Sequence, residues 1–467
     1  MGVDWAAVVA DAIVRETLLF SAIGFLIGGL DDLAVDLLWI GTRRSRRAHS
    51  VPPTLASYRC APERRLAVLI AAWDESRVIG AMLRTALARF DHGDYRLYVG
   101  TYPNDRATIA AVAAVAQGDP RIRLVIGDRA GPTTKADCLN TLWRALCRDE
   151  ARDGNPTAAI VLHDAEDVVH AGELRVFDAL IGRFSVVQLP VLPLVDRGAR
   201  LISGHYADEF AEAHGKQMVV RQTLGVGIPL AGVGCAIERA MLGRIADARG
   251  GSPLDAASLT EDYEIGLQIA ALGGRGTFAW VRESDRGPPV AVRAYFPATI
   301  HGAVRQKARW MTGIALAGWD RLGWGPAHDW RDHWMRMRDR RAPLAVVVLA
   351  VAYLALLAWA AMHGIHWVAR TAPPAMPAAS EWLLSVNVTL LLWRIVVRAA
   401  FTGQAYGWRE ACWSFPRLFV SNLIALLAAR RAVWAYVRSL QGVALRWDKT
   451  SHVFPNLPGR HPLGPCP

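Results

Sequence analysis

Cysteine is sparse and scattered: the six in 467 residues (Cys60, Cys138, Cys147, Cys235, Cys412 and Cys466) form no C-x-x-C pair and no zinc spacing. That excludes a disulfide framework and a structural zinc site of the usual pattern, and implies reduced cytosolic thiols. The first apolar segment has no basic start and no small-residue cleavage site behind it, so a removable leader is not expected. No internal repeat and no low-complexity tract interrupts the chain. The small-residue run Leu230-Ala231-Gly232-Val233-Gly234-Cys235-Ala236 lacks the Lys-Ser/Thr of a phosphate loop, which argues against ATP binding.

What is present is of two kinds. Hydrophobic residues make up 52% of the chain, yet 20% of it is charged, a mixture that fits a polar domain joined to apolar segments. The net charge of +11 is concentrated in the basic runs 43–47 and 336–341, each beside a long apolar stretch. This is the positive-inside pattern, and it points to a lipid bilayer rather than nucleic acid. Residues 343–362 form an uncharged run long enough to span, and 381–401 a less pure one. The Pro-rich connection between them carries a single Arg and is expected outside. Near the N-terminus, Asp31, Asp32 and Asp36 fall in the second half of the apolar stretch 18–40, so a short span over 17–30 that continues as an interfacial helix is expected. Residues 413–437 are broken by Arg417, Arg430 and Arg431, leaving only 418–429 uninterrupted. That piece is too short to cross, so it is expected on the membrane surface, with three spans rather than four.

Between Arg64 and about Arg293, short β-rich runs (LAVLIAAW, YRLYVGTYP, IRLVIGD, AAIVLHD) alternate with helical stretches near 107–116 and 135–148. Such alternation predicts βαβ units and a mostly parallel sheet, with ligands beyond the carboxyl ends of its strands. Glu75, Asp105 and Asp164 each follow a strand-like run and are expected to face one crevice. The expected organisation is an N-terminal membrane helix and basic linker over 1–60, a catalytic α/β domain over 61–335, membrane and interfacial helices over 336–445, and a C-terminal segment over 446–467.

The run His163-Asp164-Ala165-Glu166-Asp167 directs three carboxylates off a buried strand. Asp164 and Glu166, at i and i+2, can share one divalent cation. Thr260-Glu261-Asp262 reads as a helix start with Thr260 as cap. Gln306, Arg309 and Trp310, at i, i+3 and i+4, share one helix face, where Arg309 can grip diphosphate and Trp310 offers a plane for stacking.

The succession AAWDE, YPND, TTKADCLN, HDAED, TED and QKARW resembles membrane-embedded, processive family 2 glycosyltransferases. The ending LRWDKTSHVFP, with YPND and LHDAEDVVH, is most similar to the bacteriophage adsorption protein B branch, inner-membrane glycosyltransferases linked to exopolysaccharide synthesis. The resemblance covers about residues 15 to 457. It implies a GT-A fold with a Rossmann-like nucleotide half. It also implies a Mg²⁺ or Mn²⁺ cofactor on Asp164 and Glu166, and Asp262 as the catalytic base of an inverting transfer. Donor contacts would come from Trp73, Glu75, Asp105, Lys135, Asp164, Gln306 and Arg309; acceptor contacts from Gly234, Cys235, Glu261 and Trp310; and a closing loop would carry Lys449 and Thr450.

The implied partners are a nucleoside diphosphate sugar, UDP-linked by preference, a glycan or lipid-linked acceptor, the bilayer, and an export subunit or second copy of the chain. The implied location is the bacterial inner membrane with the catalytic domain cytosolic. Single-sugar transfer to a polyprenyl phosphate and a non-catalytic export scaffold are the alternatives. His163 and His301 carry no expected role beyond packing or surface placement.

Overall fold

The structure is a computed structural model and describes residues 2–42, 51–58, 63–443 and 453–455. Its centre is a seven-stranded sheet in the order β3-β2-β1-β4-β6-β5-β7. The strands are β1 (Leu66–Ala71), β2 (Tyr95–Thr101), β3 (Ile122–Ile126), β4 (Ala159–Asp164), β5 (Val186–Gln188), β6 (Cys235–Glu238) and β7 (Gly276–Phe278). The four strands read from the sequence are the parallel block β3-β2-β1-β4. β6 then runs antiparallel to β4 and β5, and β5 pairs parallel with β7. The expected mostly parallel sheet is therefore correct, and the short strands that reverse it carry too little pattern to be read from sequence.

Every residue of β1 is buried, as a central strand covered on both faces requires. Leu66, Val68 and Ile70 point into one core, shared with α2 (Ile79–Arg89), α3 (Arg106–Ala116) and α5 (Glu173–Leu180). Ala67, Leu69 and Ala71 point into the other, shared with α4 (Lys135–Asp153), α8 (Arg239–Ala248) and α9 (Glu261–Ala271). Phe454 packs against the first core, so the chain returns to the catalytic body near its end.

Two helices form the membrane-facing side of this body. α6 (Arg200–Glu212) passes through a wide turn, Ala213–Gln217, into α7 (Met218–Leu224). α10 (Ile300–Met311) passes through a similar turn, Thr312–Leu316, into α11 (Ala317–Leu322). α12 (Trp330–Arg340) then leads to α13 (Ala342–Ala369), α14 (Ala378–Tyr406) and α15 (Trp408–Leu440), while α1 (Gly2–Gly41) packs along α13 and α14. Among the described residues, α1, α13, α14 and α15 are long and apolar enough to cross a membrane.

The expected first span and its interfacial continuation form a single helix. α1 is one continuous helix, and its acids are matched by bases. Asp31 pairs with Arg338 and Arg341, and Asp32 lies 2.9 Å from Arg338, 2.6 Å from Arg341 and 3.4 Å from Arg394. Asp36 pairs with Lys216 and accepts from the Trp393 indole at 2.8 Å. Charges are tolerated in so apolar a helix because each meets an opposite charge.

α15 satisfies the length that the sequence reading denied it, because its Arg residues do not break the helix. Its buried residues Glu410, Ser414, Arg417, Ile424, Ala428 and Ala432 recur at intervals of three, four or seven positions, which places them on one face. That face touches the catalytic body along its whole length, from the Arg200–Glu410 pair (2.8 Å) to Tyr436, which donates to Asp320 at 2.7 Å.

Candidate active site

Ala71 at the end of β1 lies opposite Asp164 at the end of β4, so the loops leaving these two parallel strands open on the same cleft. Glu75, Lys135, Asp164, Glu166, Glu261, Asp262, Gln306, Arg309 and Trp310, nine of the expected site residues, line it together.

The turn after β4 decides which of its acids face outward. The Asp167 N–H closes on the Asp164 carbonyl at 3.2 Å. The Asp167 carboxylate turns back to accept from the Asp164 N–H and pairs with the His163 ring, both at 2.9 Å. Asp167 is thus occupied internally, and Glu166 is the acid that accompanies Asp164. Lys135, the first residue of α4, reaches across to Asp164 at 2.5 Å and donates to the Gly232 carbonyl at 3.3 Å. Burial alone would lower the lysine's pKa, but Asp164, Glu261 and Asp262 outweigh it and hold the ammonium above its usual range.

The loop that carries Thr260-Glu261-Asp262 is fastened to α4 by side chains far away in sequence. Asn140 donates to the Leu254 carbonyl at 2.8 Å and accepts from the Leu254 N–H at 3.0 Å, and the Thr134 hydroxyl donates to the Ala256 carbonyl at 2.7 Å. Thr134 also caps α4 by accepting from the Asp137 N–H at 3.1 Å. Thr260 stands at the start of α9 but makes no capping bond, and its hydroxyl is buried without a partner. Asp262 accepts from the Tyr263 N–H at 2.7 Å and abuts Gly232, where any Cβ would strike its carboxylate. Burial raises the Asp262 pKa, with Lys135 opposing it; burial and the adjacent Asp262 raise Glu261 to about 7.

Gln306, Arg309 and Trp310 share the cleft-facing side of α10, as their spacing predicts. The Gln306 amide oxygen is buried without a hydrogen-bond partner, a cost normally repaid by a ligand or water. Trp310 stands edge-on to Tyr206 at 6.0 Å and lies 6.3 Å from Phe296, forming an aromatic wall at the membrane end of the cleft.

Four expected contacts are not among the residues that line this cleft. Asp105 caps α3 by accepting from the Thr108 N–H (3.2 Å) and holds the Asp74 N–H at 2.6 Å, so its carboxylate ties two loops together. Trp73 packs edge-on against Tyr102 at 5.2 Å, outside the cleft wall. Cys235 is fully buried in β6, and Gly234, at φ +58°, faces Val292. The acceptor side is instead walled by their neighbours Ala231 and Val233. Lys449 and Thr450 lie outside the described residues. His163 is far from idle, being fully buried between two carboxylates.

The residues fit a divalent cation. The cleft wall presents the acids Glu75, Asp164, Glu166, Glu261 and Asp262, with Asp167 turned inward behind them, against only Lys135 and Arg309. Such a surface would repel an anionic ligand unless a cation intervened. Asp164 and Glu166 supply hard oxygens, and no group of three or more His, Cys, Asp or Glu that could hold a metal occurs among the described residues. A cation here would complete its shell with phosphate and water oxygens.

With this geometry in place, the comparisons are specific. Over 469 aligned positions, covering 94% of the chain, it is 35% identical to bacteriophage adsorption protein B of Escherichia coli strain K12 and equally to bacteriophage N4 adsorption protein B of Escherichia coli O157:H7. It spans 62% of the length of these curated relatives. In structure it resembles a mannosyltransferase of Pyrobaculum calidifontis in complex with GDP-Man and Mn²⁺, with a TM-score of 0.53, 17% identity, and coverage of 91% of this chain and 99% of that one. This likeness fixes the GT-A type of fold. Residues 62–313, the stretch that holds the whole cleft from Glu75 to Trp310, match the model of the glycosyltransferase-like family 2, to which the chain belongs.

Proposed function

We propose that this membrane glycosyltransferase moves a sugar, with inversion, from a nucleoside diphosphate to a glycan or lipid-linked acceptor at the cytosolic face of a bacterial inner membrane. The observation that carries the reading is the convergence of Asp164 and Glu166, Asp262, and the Gln306-Arg309-Trp310 face on one cleft beside the membrane helices. Asp164 and Glu166 would hold Mg²⁺ or Mn²⁺, which when bound neutralises the charge that grows on the departing nucleoside diphosphate. Arg309 adds a fixed positive charge near the same place. Asp262 takes the proton of the acceptor hydroxyl as its oxygen bonds to the anomeric carbon and the bond to the diphosphate breaks. Trp310 and its aromatic neighbours present a stacking surface to the acceptor. Exopolysaccharide growth and a UDP-linked donor are the readings that the motif resemblance supports, and the mannosyltransferase solved with GDP-Man makes GDP-sugars the first alternative.

The test is nucleoside diphosphate release by the purified, detergent-solubilised protein with Mg²⁺ or Mn²⁺ over a panel of UDP- and GDP-sugars. The expected result is metal-dependent release with one donor, lost by about 10²-fold or more in Asp262→Asn. Unchanged release in that variant would remove Asp262 as base, and no release with any donor would favour a non-catalytic role.

A further inference from the structure

The acids after β4 are held from beneath by an array of three buried side chains. His163 and Glu173 are both fully buried, and Asp167 is almost so. One ring nitrogen of His163 lies 2.9 Å from Asp167 and the other 2.7 Å from Glu173. Glu173 opens α5, and its second oxygen accepts the His170 N–H at 3.0 Å, which fixes it to the start of that helix. Asp167 Oδ2, the atom that meets His163, also accepts the Asp164 N–H. A continuous chain of contacts therefore runs from α5 through Glu173, His163 and Asp167 to the backbone of Asp164.

Two carboxylates facing one ring require both ring nitrogens to donate. Held at both nitrogens and fully buried, the ring ties Asp167 on the turn to Glu173 on α5. The ring contact keeps the Asp167 carboxylate turned back onto the Asp164 N–H, which leaves Asp164 and Glu166 as the acids free to meet a ligand. Without it, Asp167 would swing toward solvent, and the turn that orients Glu166 would lose its inner support.

We infer that His163, together with Glu173, is a positioning residue that fixes the 164–167 turn so that Asp164 and Glu166 present their oxygens to the nucleotide's divalent cation. The inference rests on the metal-dependent transferase reading. Residues that orient metal ligands commonly cost 10- to 100-fold in metal affinity or activity when removed.

Mn²⁺ binding to the full, detergent-solubilised chain with UDP, and in parallel with GDP, is read by electron paramagnetic resonance without any transfer reaction. His163→Gln, which can satisfy only one of the two carboxylates, is expected to raise the half-saturating Mn²⁺ concentration about tenfold. Activity at saturating Mn²⁺ should return to within a few-fold of wild type, a rescue that a merely structural role would not give. If His163→Gln does not fold, Glu173→Gln preserves side-chain volume and carries the comparison, with a several-fold rise expected. Unchanged Mn²⁺ affinity in the variant that folds overturns the positioning role. Absence of Mn²⁺ binding by the wild type with both nucleotides overturns the metal-dependent reading itself, and the inference with it.

Discussion

A carboxylate that accepts a proton must first be ionised, and the surroundings of Asp262 resist that. Burial raises its pKa from 3.8 and Asp164 adds to the rise, while Lys135 works in the opposite direction. Because only the deprotonated form serves as base, kcat/KM should climb with pH, and its acidic limb should lie above the ordinary aspartate range. Lys135→Met removes the opposing charge and should move that limb to still higher pH. A pH profile of nucleotide release from purified protein checks both, and an acidic limb near 3.8 would mean that burial does not govern the base. At this scale the sequence is informative where chemistry is written in short motifs: Asp164, Glu166, Asp262, Gln306, Arg309 and Trp310 can be picked out because each lies in a compact, distinctive string. Asn140, Gly232 and the partners of His163 cannot, because their roles arise from contacts between distant segments. Asn140 meets Leu254, and Gly232 meets Asp262. Asp105 shows a role of another kind: its position after a strand suggests a ligand, and its carboxylate also accepts from the N–H groups of Thr108 and Asp74.

α15 shows how a periodic element can mislead when its charges are counted without their partners. Arg417 counts against a buried helix until Asp208 and Glu410 are seen beside it; its side chain is then 1% exposed, and the Asp208 contact is 3.0 Å. Asp208 is pushed up to about 6 by burial even though Arg417 and Arg398 draw it down, which measures how strongly this site resists an isolated charge. Arg417→Leu should therefore destabilise the protein by about 3–5 kcal/mol, since it leaves the buried Asp208 without its ion-pair partner. Arg417→Leu with Asp208→Asn should recover part of that loss, because one buried charge is neutralised at little cost in shape. Thermal unfolding in detergent of the single and double variants measures the difference, and a double variant no more stable than Arg417→Leu alone would break the argument. The strands β1 to β4 are legible for a related reason: each holds three or more consecutive apolar residues. β5 and β7, three residues each, have no such run.

At the scale of the whole molecule, the membrane helices and the catalytic body are joined by charge. Asp31 and Asp32 of α1 meet Arg338, Arg341 and Arg394, and Asp36 meets Lys216. Glu212 of α6 takes Arg394 at 2.7 Å and Arg398 at 3.2 Å. These contacts fasten α1, the start of α13 and the middle of α14 to the catalytic domain. The same logic addresses α15, which length and composition alone would allow to cross. Only Gly407, at φ +92°, separates it from α14, and one of its faces stays on the catalytic body from Glu410 to Tyr436. A helix crossing the bilayer would have to leave that body after a few turns. α15 is therefore expected to lie along the membrane surface, with three spans and the end of α15 on the catalytic side. Single cysteines at Pro374, between α13 and α14, and at Gly442, just past α15, test this with a membrane-impermeant thiol reagent on intact cells and on inverted vesicles. Pro374→Cys should react only from outside and Gly442→Cys only from the cytosolic side. Labelling of Gly442→Cys from outside would make α15 a fourth span and would require its contacts with α6 and α10 to form within the bilayer.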